Sequence, residues 1–292
     1  MIVVLKPPAL PGDTQRGFLP STRWRIPLEK KDIIKYNRCM SVTCPDFDST
    51  LPIVDRPWQI DCPEPIPDPA ASIGYDEQLL QRVLSGDSGP VICIKHDPRC
   101  LVVTRREARF PHFEEAAEIL AGEGWPLVVR CSGGSCVPQG PGILNLSLVF
   151  PKPKGWLLEN GYRLLCGLFA RLLEGYGLAA GIGEVPGSFC DGRYNLQVAG
   201  RKLLGTAQRW AGGSSGRSAV LAHACLLVDL DLVEATAAVN RFYRLCGQEL
   251  QFDPGACATL RECLGGEASG LLMADLFTRL EMLLGEFFSS PD

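Results

Sequence analysis

A thiol, an ammonium and a glycine-rich loop are the groups in this chain best suited to act on an acyl carbonyl. Cys190 stands between Gly187 and Gly192, in a turn where a cysteine has no packing duty. Lys202 opens a second run that reaches Gly205 and Gln208, and Asn195 to Val198 precedes it as the other arm of a hairpin turning at Ala199-Gly200-Arg201. A thiol beside an ammonium is held partly as thiolate, the form that attacks an acyl carbonyl and keeps the acyl group as a thioester. The plainer reading makes Lys202 a solvated hairpin lysine and Cys190 one of thirteen cysteines, most of which need no chemical role.

A second segment, Val128 to Pro151, carries Arg130 out of a strand into Ser132-Gly133-Gly134-Ser135. Glycines there permit positive φ and let backbone N–H groups come close to a bound group, although a wide turn between strands explains the same composition. Asn145 and Ser147, two apart on the next strand, share a face and can bond a ligand or each other. In the third segment, Ala219 to Leu232, His223 lies within an apolar strand before Asp229 and Asp231. A lone histidine in that setting reads as a hydrogen-bonded structural residue, so it is not counted in the site.

These groups need a scaffold. Strands are expected at 90–95, 100–104, 127–130, 143–150, 194–198, 202–208 and 219–228, and helices from about Asp76 to a stop at Gly86, then at 113–120, 156–175, 230–247 and 270–287. Strands and helices without strict alternation indicate an α+β or mixed-sheet α/β domain. Residues 1–39 hold eight basic and three acidic side chains with five prolines, and 43–70 are rich in Pro and Asp. Residues 1–69 are therefore expected to be a poorly ordered extension and linker, with Met40 an alternative start, and residues 70–292 the working domain.

Composition removes several classes. A net charge of -4, from 33 acidic and 29 basic side chains, gives no electrostatic footprint for nucleic acid. The thirteen cysteines contain no C-x-x-C pair, which fits neither a disulfide framework nor a zinc set, and so many thiols point to a reducing cytoplasm. Lys6-Pro7-Pro8 ends the apolar Ile2 to Leu5 too early for an export signal. The apolar stretch Trp156 to Leu178 holds Glu159, Arg163, Arg171 and Glu174, so no membrane span is expected.

Taken in order, VVRCSGGSCVPQGPGILNLSL, GSFCDGRYNLQVAGRKLLGTAQRW and HACLLVDLDL resemble the biotin/lipoate A/B protein ligase family over about residues 70 to 250. ATP-dependent ligases of that family usually place His-Asp after the glycine loop and have no cysteine before the G-R-K strand. Here Pro138-Gln139 and Cys190 stand instead, and Gly187 to Leu196 is similar to the string of its cysteine-dependent octanoyltransferases and amidotransferases. The resemblance implies the biotin/lipoate protein ligase catalytic fold, a mixed and largely antiparallel sheet flanked by helices, with a smaller sub-structure after about residue 230. It implies Cys190 as acyl-accepting nucleophile and Lys202 as the lysine shared by transferases and ligases. Arg130, Ser132, Gly133 and Gly134 would line the acyl chain and carbonyl, with Asn145, Gly205 and Gln208 in support and an apolar tunnel along 143–148 and 203–207.

The implied donor is acyl carrier protein or the glycine cleavage H protein, and the acceptor a lysine of a lipoyl domain of the 2-oxoacid dehydrogenase complexes. No metal or cofactor is implied, except ATP and Mg under the alternative of a lipoate or biotin ligase working through an acyl-adenylate. A carrier-binding protein without catalysis is the alternative of another class. A monomer is the default expectation.

Overall fold

A computed structural model describes residues 57–213, 216–266 and 272–288. Residues 1–56, which hold most of the expected extension and Met40, lie outside the described residues.

The main sheet has seven strands in the order β1 (Gln59–Asp61), β2 (Val91–Lys95), β6 (Ile143–Pro151), β10 (Ser218–Leu227), β9 (Arg201–Gly212), β8 (Asn195–Val198) and β7 (Gly181–Gly183). Only β1 with β2 is parallel; all other neighbours in this sheet are antiparallel. A separate three-stranded sheet, β4 (Leu127–Arg130), β3 (Cys100–Thr104) and β5 (Val137–Gln139), carries the glycine-rich loop between its strands β4 and β5. The mixed, largely antiparallel expectation is met. The second sheet was not foreseen, because β5 is three residues long and contains a proline that masks it.

The period of two along β6 divides the molecule. Leu144, Leu146, Leu148 and Phe150 enter one core with the helices α3 (Leu158–Glu174) and α6 (Leu272–Phe288). Ile143 and Val149 turn to the other face, with Asn145 and Ser147 between them. There α1 (Pro69–Ser85) covers Val149, Ala219 and Leu221, while α2 (Phe113–Gly122) and α4 (Leu232–Leu245) close a further core around Leu101, Val103 and Leu227. Between these two covers lies the stretch of sheet bearing His223 and Cys225.

Two boundaries move. The strand Gln59–Asp61 hydrogen-bonds to β2, so ordered structure starts before residue 70; three residues in a Pro-rich stretch give no readable alternation. Helix α1 starts at Pro69, not near Asp76, because Asp68 caps Ala71 N at 2.8 Å and proline suits the first helical position. Among the described residues the segments after residue 230 form no separate sub-structure: α4 and α6 each complete a core of the main domain.

Candidate active site

Cys190 occupies the turn between β7 and β8 with φ of 51°, a left-handed conformation that a non-glycine residue holds only when its surroundings fix it. Lys202 supplies that fixation. Its Nζ donates to the carbonyls of Phe189 at 2.7 Å and Cys190 at 2.8 Å, so the ammonium grips the backbone of the turn itself. Gly205 keeps the space open, since a Cβ there would lie 3.2 Å from Lys202 Cε and Nζ. Burial holds the Lys202 ammonium below its ordinary pKa, and the charge of Cys190 pulls the other way.

The glycine-rich loop faces the thiol from the second sheet. Ser135 N–H donates to Cys190 Sγ at 3.4 Å, and Arg130 Nη2 lies 3.8 Å from the same sulfur while donating to the Ser135 carbonyl at 2.8 Å. Burial by itself would raise the Cys190 thiol. The Arg130 guanidinium, then Lys202 and the Ser135 N–H, outweigh it and bring the thiol below its usual value. Other thiols go the opposite way: burial pushes Cys225 and Cys257, near Lys202, and Cys131, further off, up to about 11.

Gly134 sets the closeness of this approach. It has φ of +107°, and a Cβ built on it would lie 2.6 Å from Cys190 Sγ and 2.7 Å from Arg130 Nη2. Gly134→Ala is expected to lower acylation of Cys190 by at least about tenfold and to cost about 1 to 3 kcal/mol of stability from backbone strain. Single-turnover acylation and a thermal melt check both. A near-normal acylation rate would mean that the loop is not held against the sulfur.

Cys190, Lys202, Arg130, Gly205 and Ala207 open onto a cleft of about 470 Å³, counted with its space open to solvent. Val137, Ile143, Phe189, Cys225 and Leu227 give it apolar walls. A mostly apolar cleft with a few convergent polar groups suits an aliphatic chain ending in a carbonyl. Of the expected tunnel, Ile143, Gly205, Thr206 and Ala207 line the cleft. Leu144, Leu146, Leu148, Leu203 and Leu204 belong instead to the core under α3.

Other expected site residues stand further off. Gln208 pairs with Ala222 on the α3 face; its Nε2 donates to the Leu158 carbonyl at 2.8 Å, and a Cβ on Gly161 would meet its Oε1 at 2.5 Å. It braces that helix and not the loop. Asn145 lies one layer behind the cleft, donating to Asp97 Oδ2 at 2.9 Å and Gln139 Oε1 at 3.0 Å. Asp97 in turn pairs with Lys95 at 2.5 Å, both buried. Gly133 is exposed and has no atom within 4 Å of a Cβ placed on it. Ser132 is buried, with its Oγ 3.0 Å from His223 Nε2.

Sequence reading named Ser135 only as part of the glycine-rich loop, and it passed over Phe189 and the cleft-facing role of His223. Burial, then Arg130 and Lys95, push the His223 imidazole down to about 3, so it stays neutral and serves as a hydrogen-bond partner. The available signal was parity: His223 and Cys225 alternate with the core-facing Ala222, Ala224 and Leu226.

Among the described residues no group of three or more His, Cys, Asp or Glu side chains is placed to hold a metal ion, and no helix is long and apolar enough to cross a membrane.

Residues 68–264 match the lipoyl protein ligase A/B catalytic domain model. An octanoyl-[GcvH]:protein N-octanoyltransferase of Kyrpidia tusciae is 36% identical over 220 residues, covering 73% of this chain and 76% of that protein. One of the same name from Geobacillus kaustophilus is 33% identical over 235 residues, covering 77% and 81%. The fold is similar to that of a lipoate-protein ligase A crystallised with ATP, with a TM-score of 0.61 at 18% identity, 80% of this chain and 85% of the other being covered. The structure of a T. acidophilum protein with bound lipoic acid gives 0.61 at 20%, covering 80% and 86%. The chain belongs to the lipoyl protein ligase A/B catalytic-domain family.

Proposed function

We propose that this chain is an octanoyltransferase that takes an octanoyl group from the glycine cleavage H protein onto Cys190 and delivers it to a lysine of a lipoyl domain. The carrying observation is the thiol itself, at the mouth of an apolar cleft with Arg130 and the Ser135 N–H against its sulfur. The names of the relatives from K. tusciae and G. kaustophilus support the donor and the acyl group.

The Cys190 thiolate attacks the carbonyl of the octanoyl amide, the octanoyl chain lying along Val137, Ile143 and Leu227. A C–S bond forms, the C–N bond to the donor lysine breaks, and the departing amine takes up a proton from water. The acceptor lysine amine then attacks the thioester, the C–S bond breaks, and a new amide forms as the amine proton passes to water and Cys190 returns to thiolate. Two of the three Lys202 donors hold the turn, and the third is assigned to the developing oxyanion together with backbone N–H groups of the 132–135 loop. The mechanism uses no metal or bound cofactor. A monomeric enzyme of the cytoplasm suits this reaction.

The test is incubation with octanoyl-H protein in the absence of ATP, followed by intact-mass measurement and mapping of the modified residue. One octanoyl group on Cys190 is expected. Modification that requires free octanoate and ATP would mark a ligase, and none under either condition a carrier-binding protein without catalysis. Octanoyl-acyl carrier protein, run in parallel, distinguishes the donors.

A further inference from the structure

Glu107 is fully buried in the 3-10 turn Glu107–Arg109 that follows β3, far in sequence from Cys190 and absent from the cleft lining. Its carboxylate accepts four hydrogen bonds. Oε2 takes Thr104 N at 2.8 Å and Thr104 Oγ1 at 2.9 Å; Oε1 takes Cys136 N at 2.9 Å and the hydroxyl of Tyr243. The Tyr243 hydroxyl, buried on α4, also accepts from Cys136 N at 3.2 Å.

Cys136 follows Ser135 directly, and the peptide joining them is planar and trans, so its carbonyl and its N–H leave opposite edges. Arg130 holds the carbonyl edge, at Ser135 O, and Glu107 holds the N–H edge, at Cys136. Gripped from both sides, that plane cannot rotate without breaking a charge-assisted hydrogen bond. The grip is needed because Gly133 and Gly134 on the other flank give the loop little stiffness of its own. Beyond the Ser135 Cα lies the N–H that reaches the Cys190 sulfur.

We infer that Glu107, completed by Tyr243, is a positioning residue for Cys190: it fixes the Ser135–Cys136 peptide so that Arg130 and the Ser135 N–H stay against the sulfur. The inference rests on Cys190 being the acyl acceptor. It ties helix α4, from the C-terminal part of the chain, to the reacting thiol through one carboxylate. The titratable or charged groups around the sulfur are Arg130, Lys202, Cys136 and Tyr162, and those around the carboxylate are Tyr243, Cys136 and Cys246.

The test compares the full chain with Glu107→Gln and Tyr243→Phe, reading the rate of iodoacetamide alkylation at the Cys190 peptide against pH and the single-turnover rate of acylation. The glutamine keeps the shape but turns an N–H toward donors, so the loop loses an anchor. The alkylation midpoint should rise by about one pH unit, and kcat for acylation should fall about tenfold with KM for the donor nearly unchanged. Tyr243→Phe keeps the ring packed on Phe252 and should give a smaller rise. Unchanged midpoints in both folded variants, against a low wild-type midpoint, would overturn this inference alone. If Glu107→Gln does not fold, Tyr243→Phe decides: a raised midpoint supports the inference and an unchanged one ends it. A wild-type midpoint at the ordinary thiol value of about 8.5 would overturn the reading of Cys190 itself, and this inference with it.

Discussion

Cys190→Ala is expected to abolish the acyl-enzyme and to lower transfer by roughly four or more orders of magnitude, since no second route to the amide remains once the nucleophile is gone. Stability should fall by only about 1 kcal/mol, because the turn is held by Lys202 on two backbone carbonyls and not by the thiol. Cys131→Ala is the control: that thiol is pushed up to about 11 by burial and by its bond to Glu77, and its loss should leave most of the activity. The measurements are octanoyl incorporation by intact mass and a thermal melt of each variant. An unfolded Cys190→Ala would make the residue structural, and an inert Cys131→Ala would move the nucleophile there.

Lys202→Met and Lys202→Arg should both be severe, for different reasons. Methionine leaves the Phe189 and Cys190 carbonyls as buried acceptors without their donor, at a cost of about 1 to 3 kcal/mol. It also removes a cation beside the sulfur, which raises the thiol pKa, so the rising limb of Cys190 alkylation moves to higher pH. Arginine keeps the charge but needs space that Gly205 leaves only for a compact ammonium, and its planar fork does not match two carbonyls of one turn. Loss of such a donor from a developing oxyanion lowers the rate about a hundredfold to a thousandfold. Near-normal rates in the arginine variant would show that charge alone suffices. An unmoved alkylation limb in the methionine variant would separate Lys202 from thiol activation.

Much of the scaffold, and the strings that hold Cys190 and Lys202, could be read from local pattern, whereas the chemical roles of these two residues came from the family resemblance. Ile143 to Phe150 and Ala219 to Leu227 are apolar strands whose alternation appears unchanged in the sheet, and Cys190, Lys202, Arg130 and Gly134 lie in short strings where glycines and charges interrupt apolar runs. Such signals survive without the fold because period and turn chemistry act over a few residues. Gln208 shows the limit of that reading: it sits in the same string as Lys202 and Gly205, yet its register against Ala222 turns it under α3. A strand's side chains alternate, so nearness in sequence says little about which face a residue serves.

Which distant groups meet depends on packing between segments remote in the chain. A turn cysteine, a hairpin lysine and a flexible glycine loop are all legible in the linear chain. Local pattern does not show that Arg130, sixty positions away, joins Lys202 as a cation beside the sulfur, nor that Glu107 and Tyr243, 136 positions apart, close on the peptide after Ser135. Hydrogen bonds and ion pairs between remote segments have no periodicity and leave no local trace. They arise where hydrophobic packing of the two sheets and α4 brings buried polar groups together, each of which must then find a partner.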